Sequence, residues 1–575
     1  MSYETSEQRR VYAFLSDPQE AAGKIAPPLA YVLSAFIATG LAYYHWFYEG
    51  WRENIIFAAS ITAALVAALT LISRRLLMSM ATVAAVVAMI VVAADVKRRY
   101  IEMVLHAYDV VFYLTSWATI RFLWVDHRAY LIAIIASFLL TALLARVLYV
   151  WDSTRISRVL SGGLLVIFSC LAMWASYAKG ERRNTLFYWD NLYLSSFYAS
   201  WSETMETLME GQLLEALKSQ KRPLFTIPTT CPMMEKPPHI VLIHQESAVP
   251  PSHFPEIAYD HSLDPFFRSF DGQLHKLRVE TYGGASWLTE FSVLAGVSTY
   301  SFGGMRTFVQ SLMQGKIHDT LPQALSRCGY HNSVFYPVPK DFVSNGRFYA
   351  AVGMPEIYDF KAQGAKRFNE RDKFYYANVL SHLQKHIGEG PTFSFVITSA
   401  THLPYNFTYE PNETASGGAP GTDPEMNEYL RRLAMAKMDY DAFRAQLKER
   451  FPNERFLIVQ YGDHQPVATR TYLGFDQSFA AEDMKLDPDS PGFVTYYSVN
   501  GINYTPPPLP AVDTLEVPYL GTLLLEEAGL PLSPSYAERL RLLELCDGRY
   551  YTCANKREIL SFHRRLMDSG LVEAR

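Results

Sequence analysis

Charge is scarce in this chain. Asp, Glu, Lys and Arg make up 19% of its 575 residues, against 49% hydrophobic residues, and the net charge is −5. No basic stripe offsets that balance, which argues against nucleic acid as a partner. Cysteine is scarce too, at five residues, too few for a disulfide framework that would replace a core. Cys170 lies in an apolar run. Cys546 and Cys553 flank the turn-like Asp547-Gly548-Arg549 and would bridge if that end faces an oxidising compartment; Cys231 and Cys328 are a second candidate pair, with connectivity open. A cleavable leader is not expected either, because the first 24 residues are polar and carry Arg9, Arg10 and Lys24.

What is present divides sharply. Up to about residue 180 the chain is dominated by Ala, Leu, Val and Ile, and from about 215 it is rich in Pro, Tyr, Asp and Glu. Apolar runs near 27–47, 54–73, 77–95, 129–150 and 159–178 have the roughly 20-residue length that crosses about 30 Å of hydrocarbon. The expectation is an α-helical membrane domain of about five transmembrane helices over 1–180. The stretch 96–128 is too polar for a span, with Lys97, Arg98, Arg99, Glu102, Asp109, Arg121 and Asp126 among aromatics, and reads as interfacial or re-entrant. Five spans place the termini on opposite sides. Arg9, Arg10, Arg74, Arg75, Arg146, Arg155 and Arg158 then share the cytoplasmic side, and the C-terminal domain is extracytoplasmic. Residues 181–235 read as a juxtamembrane helical linker, with an amphipathic stretch from Tyr188 to Leu217.

From 236 to 575 the pattern alternates. Strand-like runs are His239–His244, the more polar Leu274–Glu280, Ser333–Tyr336, Thr392–Thr398 and Phe456–Tyr461. Helical patterns cover His318–Cys328, Arg371–His386 and Pro424–Glu449. Such alternation predicts a parallel sheet covered on both faces, with ligands beyond the carboxyl ends of the strands.

Chemistry-bearing residues follow those strands. Gln245, Glu246 and Ser247 come after the first, and Ser399, Thr401 and His402 after Phe393–Ile397. Gly462, Asp463 and His464 follow Phe456–Gln460. Gly283-Gly284-Ala285-Ser286 lies between the Leu274–Glu280 run and an apolar helical run, so the backbone turns sharply and presents Ser286 at a helix N-terminus, where the helix dipole favours an alkoxide or a bound anion. Each element has a plainer reading: an N-cap for Ser286, a loop cap for Glu246, a turn for Asp463-His464, a surface histidine for His402. Gathered on one sheet edge, they are hard oxygen and imidazole donors suited to Mn²⁺, Zn²⁺ or Mg²⁺.

With these residues the chain resembles the sulfatase-like branch of the alkaline phosphatase superfamily. More narrowly it resembles membrane-anchored phospholipid-headgroup transferases: lipoteichoic acid synthases, osmoregulated-glucan phosphoglycerol transferases and phosphoethanolamine transferases. The motifs are Ile243-His244-Gln245-Glu246-Ser247, Gly284-Ala285-Ser286-Trp287-Leu288-Thr289-Glu290-Phe291, Thr398-Ser399-Ala400-Thr401-His402-Leu403-Pro404-Tyr405 and Tyr461-Gly462-Asp463-His464. The resemblance implies an α/β alkaline-phosphatase-like extracytoplasmic domain whose divalent cation is held by Glu246, Ser286, Asp463 and His464. Ser286 would be the nucleophile and His402 would contact the phosphate or leaving group. Asn345-Gly346-Arg347 would supply a phosphate-binding arginine, with Asn345 and Trp287 on the substrate side. The family nucleophile is usually threonine; the register set by Glu290-Phe291 places serine here, and Thr289 is the alternative nucleophile.

The implied donor is a phospholipid of the bacterial cytoplasmic membrane, and the implied acceptor a glycan or lipid in the cell envelope. Gln245-Glu246-Ser247 in place of Gly-Glu-Ser, together with few cysteines, leans towards phosphoglycerol over phosphoethanolamine. A catalytically silent lipid- or partner-binding protein is the third reading, opposed by the retained Glu246, Ser286, Asp463 and His464. Sulfate ester hydrolysis is disfavoured because the nucleophile region lacks a Cys/Ser-Xaa-Pro-Xaa-Arg pattern.

Overall fold

The structure, a computed structural model, describes residues 24–574 apart from 51, 102, 114–116, 179–191, 211–212, 233–235, 343–344 and 475–487. The polar segment before Lys24 therefore lies outside the described residues. Two compact units divide between Glu206 and Thr207.

The first unit is helical: Pro27–Tyr48, Arg52–Ser73, Leu76–Ile101, Trp117–Asp126, Arg128–Trp151, Arg158–Ala178 and Tyr193–Glu210. Among the described residues, four of the five expected spans are long and apolar enough to cross a membrane. The remaining run also forms a helix, Pro27–Tyr48, but Tyr43, Tyr44, His45 and Trp46 make its C-terminal end less apolar. The polar stretch 96–128 is broken as its composition requires. It ends one helix, passes through a π-helical turn at Asp109–Tyr113 and forms the short helix Trp117–Asp126. Lys97 pairs with Asp109 at 2.7 Å across that break. Buried polar groups find partners: the Glu49 side chain accepts the Leu194 and Ser195 N–H groups at 3.0 and 2.8 Å, capping the helix Tyr193–Glu210.

The second unit is built on one eight-stranded sheet, comprising β1 (His239–Gln245), β2 (His275–Arg278), β3 (His331–Phe335), β4 (Glu356–Tyr358), β5 (Thr392–Ile397), β6 (Phe456–Gly462), β7 (Val494–Ile502) and β8 (Thr514–Glu516). The order is β4-β3-β5-β1-β6-β7-β2-β8. From β4 to β6 all pairs are parallel, and β1 at the centre is buried along its whole length. That explains its near-continuous apolar run. The expected all-parallel sheet is nevertheless interrupted, because β7 runs antiparallel to both β6 and β2. Strand–helix alternation does not foretell β7, since among the described residues no α-helix separates it from β6. Two reversals restore the direction of β2, so its carboxyl end opens on the same edge as those of β1, β5 and β6.

Alternation along β1 decides what each face carries. Val241 and Ile243 join the core formed with the helices Asp372–His386 and Pro424–Arg450. Ile240, Leu242 and His244 face the other way. The linker's second half belongs to this unit: Leu213 N–H bonds Ala574 O, Leu217 N–H bonds Leu560 O, and Cys231 is bridged to Cys328. Cys546 and Cys553 form the other disulfide, and Cys170 is free.

One buried acid of this unit gives a stability prediction. Glu527 closes the helix Leu520–Glu527 at 2% exposure. Burial, with Glu526 and Asp271 nearby, pushes its carboxyl up to about 8 from 4.5. The native chain therefore holds a proton that the unfolded chain releases between those values, and stability falls as pH rises through that window. Glu527→Gln removes this slope. Its unfolding free energy is expected to exceed that of the wild type at about pH 9, by a margin on the order of 1–3 kcal/mol, and to match it below about pH 4.

Candidate active site

Three strand ends and one helix start converge. The β1–β6 register pairs Gln245 with Gly462, which sets Glu246 and Asp463 side by side just past the sheet. Ser247 takes a left-handed φ of 50° and turns its N–H onto Asp463 Oδ1 at 2.7 Å, while His464 N–H donates to the same oxygen at 2.9 Å. Asp463 Oδ2 is buried without a hydrogen bond and lies 3.1 Å from His244 Nε2 and 3.3 Å from His464 Nε2. Burial alone would raise the Asp463 carboxyl. The imidazoles of His464 and His244 instead hold it well below the usual carboxylate range.

Ser286 is the first residue of the helix Ser286–Ala295, and the turn before it uses Ala285 at φ 61°. The plain N-cap role belongs to the Ala285 position, and no side-chain cap forms there. The Ser286 hydroxyl instead donates to Glu246 Oε2 at 3.3 Å and lies 3.5 Å from His464 Nε2. The residue is half-buried, open enough to meet a substrate. His464 Nδ1 is 3.0 Å from Gln465 O. A carbonyl only accepts, so Nδ1 carries a proton, and Nε2 is the ring nitrogen that faces the cluster.

Glu246, Asp463, His464 and Ser286 thus present oxygens and an imidazole nitrogen together, with His464 Nε2 at 3.3–3.5 Å from each of the other three and Ser286 Oγ at 3.3 Å from Glu246. Asp463 Oδ2, which accepts no hydrogen bond among the described residues, sits beside His464. This donor set fits a hard or borderline divalent cation. His244, Glu246 and Asp463 also form a group whose ligand atoms lie within 4.8 Å of one another.

The other expected residues are placed as follows. Thr289, one turn into the same helix, is fully buried and donates to Asp463 O at 2.8 Å, so its hydroxyl is committed to holding the Asp463 backbone. Trp287 donates from Nε1 to Thr307 O at 2.9 Å. His402 is half-buried with its ring edge-on to Phe368 at 4.9 Å. Its Nδ1–H donates to Leu403 O at 2.6 Å, and among the described residues no hydrogen bond engages Nε2. Thr401 next to it holds the Glu246 carbonyl. Asn345 is buried at the start of the helix Asn345–Ala351 and bonds Tyr336 OH. Arg347 is exposed on that helix, and among the described residues no hydrogen bond or ion pair joins it to the cluster.

Four further residues were not singled out from sequence. His244 binds Tyr461 OH through Nδ1 at 2.8 Å; a histidine directly after the aliphatic run Ile240–Ile243 and two residues before Glu246 was the available signal. Glu290, one turn beyond Ser286, is buried, accepts from Tyr349 OH at 2.6 Å and is raised by burial. Arg432 is fully buried and donates to His402 O and Pro404 O at 2.7 and 2.9 Å, pinning the His402 loop. Asp372 accepts from Gln245 Nε2 at 2.8 Å. Burial, with Asp439 nearby, pushes it up to about 7.

The sulfatase family model matches residues 273–487, a span that includes Ser286, His402, Asp463 and His464 and begins after Glu246. A Haemophilus influenzae protein described as uncharacterized is 24% identical over 363 residues, 60% of this chain and 63% of the relative's own length. Among solved structures, the Streptococcus pyogenes phosphoglycerol transferase GacH in complex with sn-glycerol-1-phosphate is 18% identical with a TM-score of 0.46, covering 60% of this chain and 88% of its own. The Neisseria meningitidis lipooligosaccharide phosphoethanolamine transferase EptA, an integral membrane protein, is 12% identical with a TM-score of 0.45, covering 90% and 99%.

Proposed function

We propose that this chain, which carries a sulfatase-family domain, transfers a phospho-headgroup from a membrane phospholipid to a glycan or lipid acceptor through a covalent Ser286 intermediate. The headgroup favoured is phosphoglycerol. The observation that carries this reading is the Ser286 hydroxyl, at a helix N-terminus and not used as a cap, set against Glu246 and His464. Four membrane-capable helices in the same chain support a lipid donor, and the two disulfides support an extracytoplasmic catalytic unit.

Glu246, Ser286, Asp463 and His464 would hold a divalent cation, which when bound stabilises a serine alkoxide and the charge on phosphoryl oxygens. Ser286 Oγ attacks phosphorus, forming the Oγ–P bond as the bond from phosphorus to the diacylglycerol oxygen breaks. The Ser286 proton passes to Glu246 Oε2, to which the hydroxyl already donates. His402 enters the first step with a proton on Nε2 and gives it to the departing diacylglycerol oxygen; in the second displacement Nε2 takes the proton of the acceptor hydroxyl, whose oxygen bonds phosphorus as the Oγ–P bond breaks, and Glu246 returns its proton to Ser286 Oγ. The first helical turn, starting at Ser286, offers backbone N–H groups to the phosphoryl oxygens.

Gln245 turns into the core against Asp372. The Gln-Glu-Ser signature that favours phosphoglycerol therefore acts as a sequence marker and not through contact with the headgroup. Incubating the full chain with Mn²⁺ and either phosphatidylglycerol or phosphatidylethanolamine, then weighing the Ser286 peptide, separates the two donors. A phosphoglycerol adduct is expected. A phosphoethanolamine adduct would reassign the donor, and no adduct with either lipid would sink the covalent mechanism.

A further inference from the structure

A second donor cluster lies on the opposite edge of the sheet. Glu356 is the first residue of the edge strand β4, which runs parallel to β3, so Glu356 sits at the amino end of the strands. The helix Asp372–His386 starts at the catalytic edge, where Asp372 meets Gln245 and Ala400. At about 1.5 Å per residue, His382 and His386 lie roughly 15–20 Å farther along its axis. They are four residues apart, hence on one helical face. The ligand atoms of Glu356, His382 and His386 all fall within 4.8 Å of one another.

We infer that these three side chains form a zinc site separate from the catalytic centre, tying the edge strand β4 to the helix Asp372–His386. The geometry already has the order that a metal needs. His382 Nε2 lies 2.9 Å from Glu356 Oε2, near the separation of about 3.3 Å that two ligands adopt on one tetrahedral zinc with bonds of about 2.0–2.1 Å. Among the described residues Nδ1 of His382 has no hydrogen-bond partner, so the ring's polar contact is on the cluster side. His382 is 5% exposed and held edge-on by Phe335 and Tyr358 at 5.7 and 5.4 Å. The His386 ring lies 4.6 Å from that of His382. Its Nδ1 donates to Glu389 Oε2 at 2.8 Å, the carboxylate–imidazole arrangement that fixes a tautomer and leaves Nε2 as the nitrogen that would ligate a metal. Tyr358 OH donates to Glu356 Oε2 at 3.2 Å and orients the carboxylate in the same way. Two imidazoles and one carboxylate select a borderline cation such as Zn²⁺, water completing the shell. β4 is only three residues long, and a cation there strengthens an edge that few ladder bonds hold.

The test uses the full chain in detergent, stripped with chelator and titrated with Zn²⁺ against a chromophoric competitor. The wild type is expected to bind one more equivalent than His386→Gln or Glu356→Gln, both at partly exposed positions where the fold tolerates them. Asp463→Asn, which disables the catalytic centre, keeps the additional equivalent. In that Asp463→Asn background, Zn²⁺ raises the unfolding midpoint and adding His386→Gln abolishes the rise. Wild-type stoichiometry and affinity in both His386→Gln and Glu356→Gln would overturn the site, as would an Asp463→Asn chain that binds no zinc.

Discussion

Ser286→Ala is expected to abolish the covalent adduct and to lower phospholipid turnover by at least about 10³-fold, towards the roughly 10⁶-fold typical when a nucleophile acting as part of a unit is removed. The expectation rests on geometry. The hydroxyl caps no helix and holds no core contact; its neighbours are Glu246 Oε2 and His464 Nε2. Removing it deletes one hydrogen bond, at 3.3 Å to Glu246, and should therefore leave the unfolding free energy within about 1 kcal/mol of the wild type. Thr289→Val is the counterpart. It removes the bond to Asp463 O, costs about 1–3 kcal/mol of stability and keeps the adduct on Ser286. An adduct that survives Ser286→Ala but disappears in Thr289→Val would transfer the nucleophile's role to Thr289. Diacylglycerol release and peptide mass, measured together on both variants, decide it.

The second large effect is structural. A Cβ added at Gly462 would fall 1.9 Å from Ala248 O and 3.2 Å from Thr495 Cβ. Both neighbours are committed: Thr495 Oγ1 donates to Gly462 O at 2.7 Å, and Ala248 follows Ser247, whose N–H holds Asp463. Neither is the far end of a flexible side chain, so the backbone itself must yield. Gly462→Ala is expected to cost about 3–5 kcal/mol and to lower the melting midpoint by roughly 10 °C. Because the displaced segment carries Glu246, residual folded protein should bind the proposed divalent cation at least tenfold more weakly. An alanine variant as stable as the wild type would contradict the close approach of the Glu246–Ala248 turn to β6.

The local elements were legible because their causes are local. Span length and apolarity mark the membrane-capable helices, the unbroken run Ile240–Ile243 marks a strand buried on both faces, and Gly283–Ala285 marks the turn before Ser286. The rule that ligands gather at strand ends then selected Glu246, Asp463 and His464 from residues more than 200 positions apart.

Other features depend on which segments pair, and pairing leaves no periodic trace in a single chain. The insertion of β7 between β6 and β2 is one. The commitment of Thr289 to a backbone carbonyl is another, as are the exposed position of Arg347 and the recruitment of His244 to the Asp463 carboxylate. Even for Ser286, sequence determined the residue and its place at a helix start. Only the tertiary structure decided that its hydroxyl would meet Glu246 and His464 instead of capping its own helix, because that choice depends on the β1–β6 register and the αL turn at Ala285. The site is a short-range pattern in each strand and a long-range fact of the sheet.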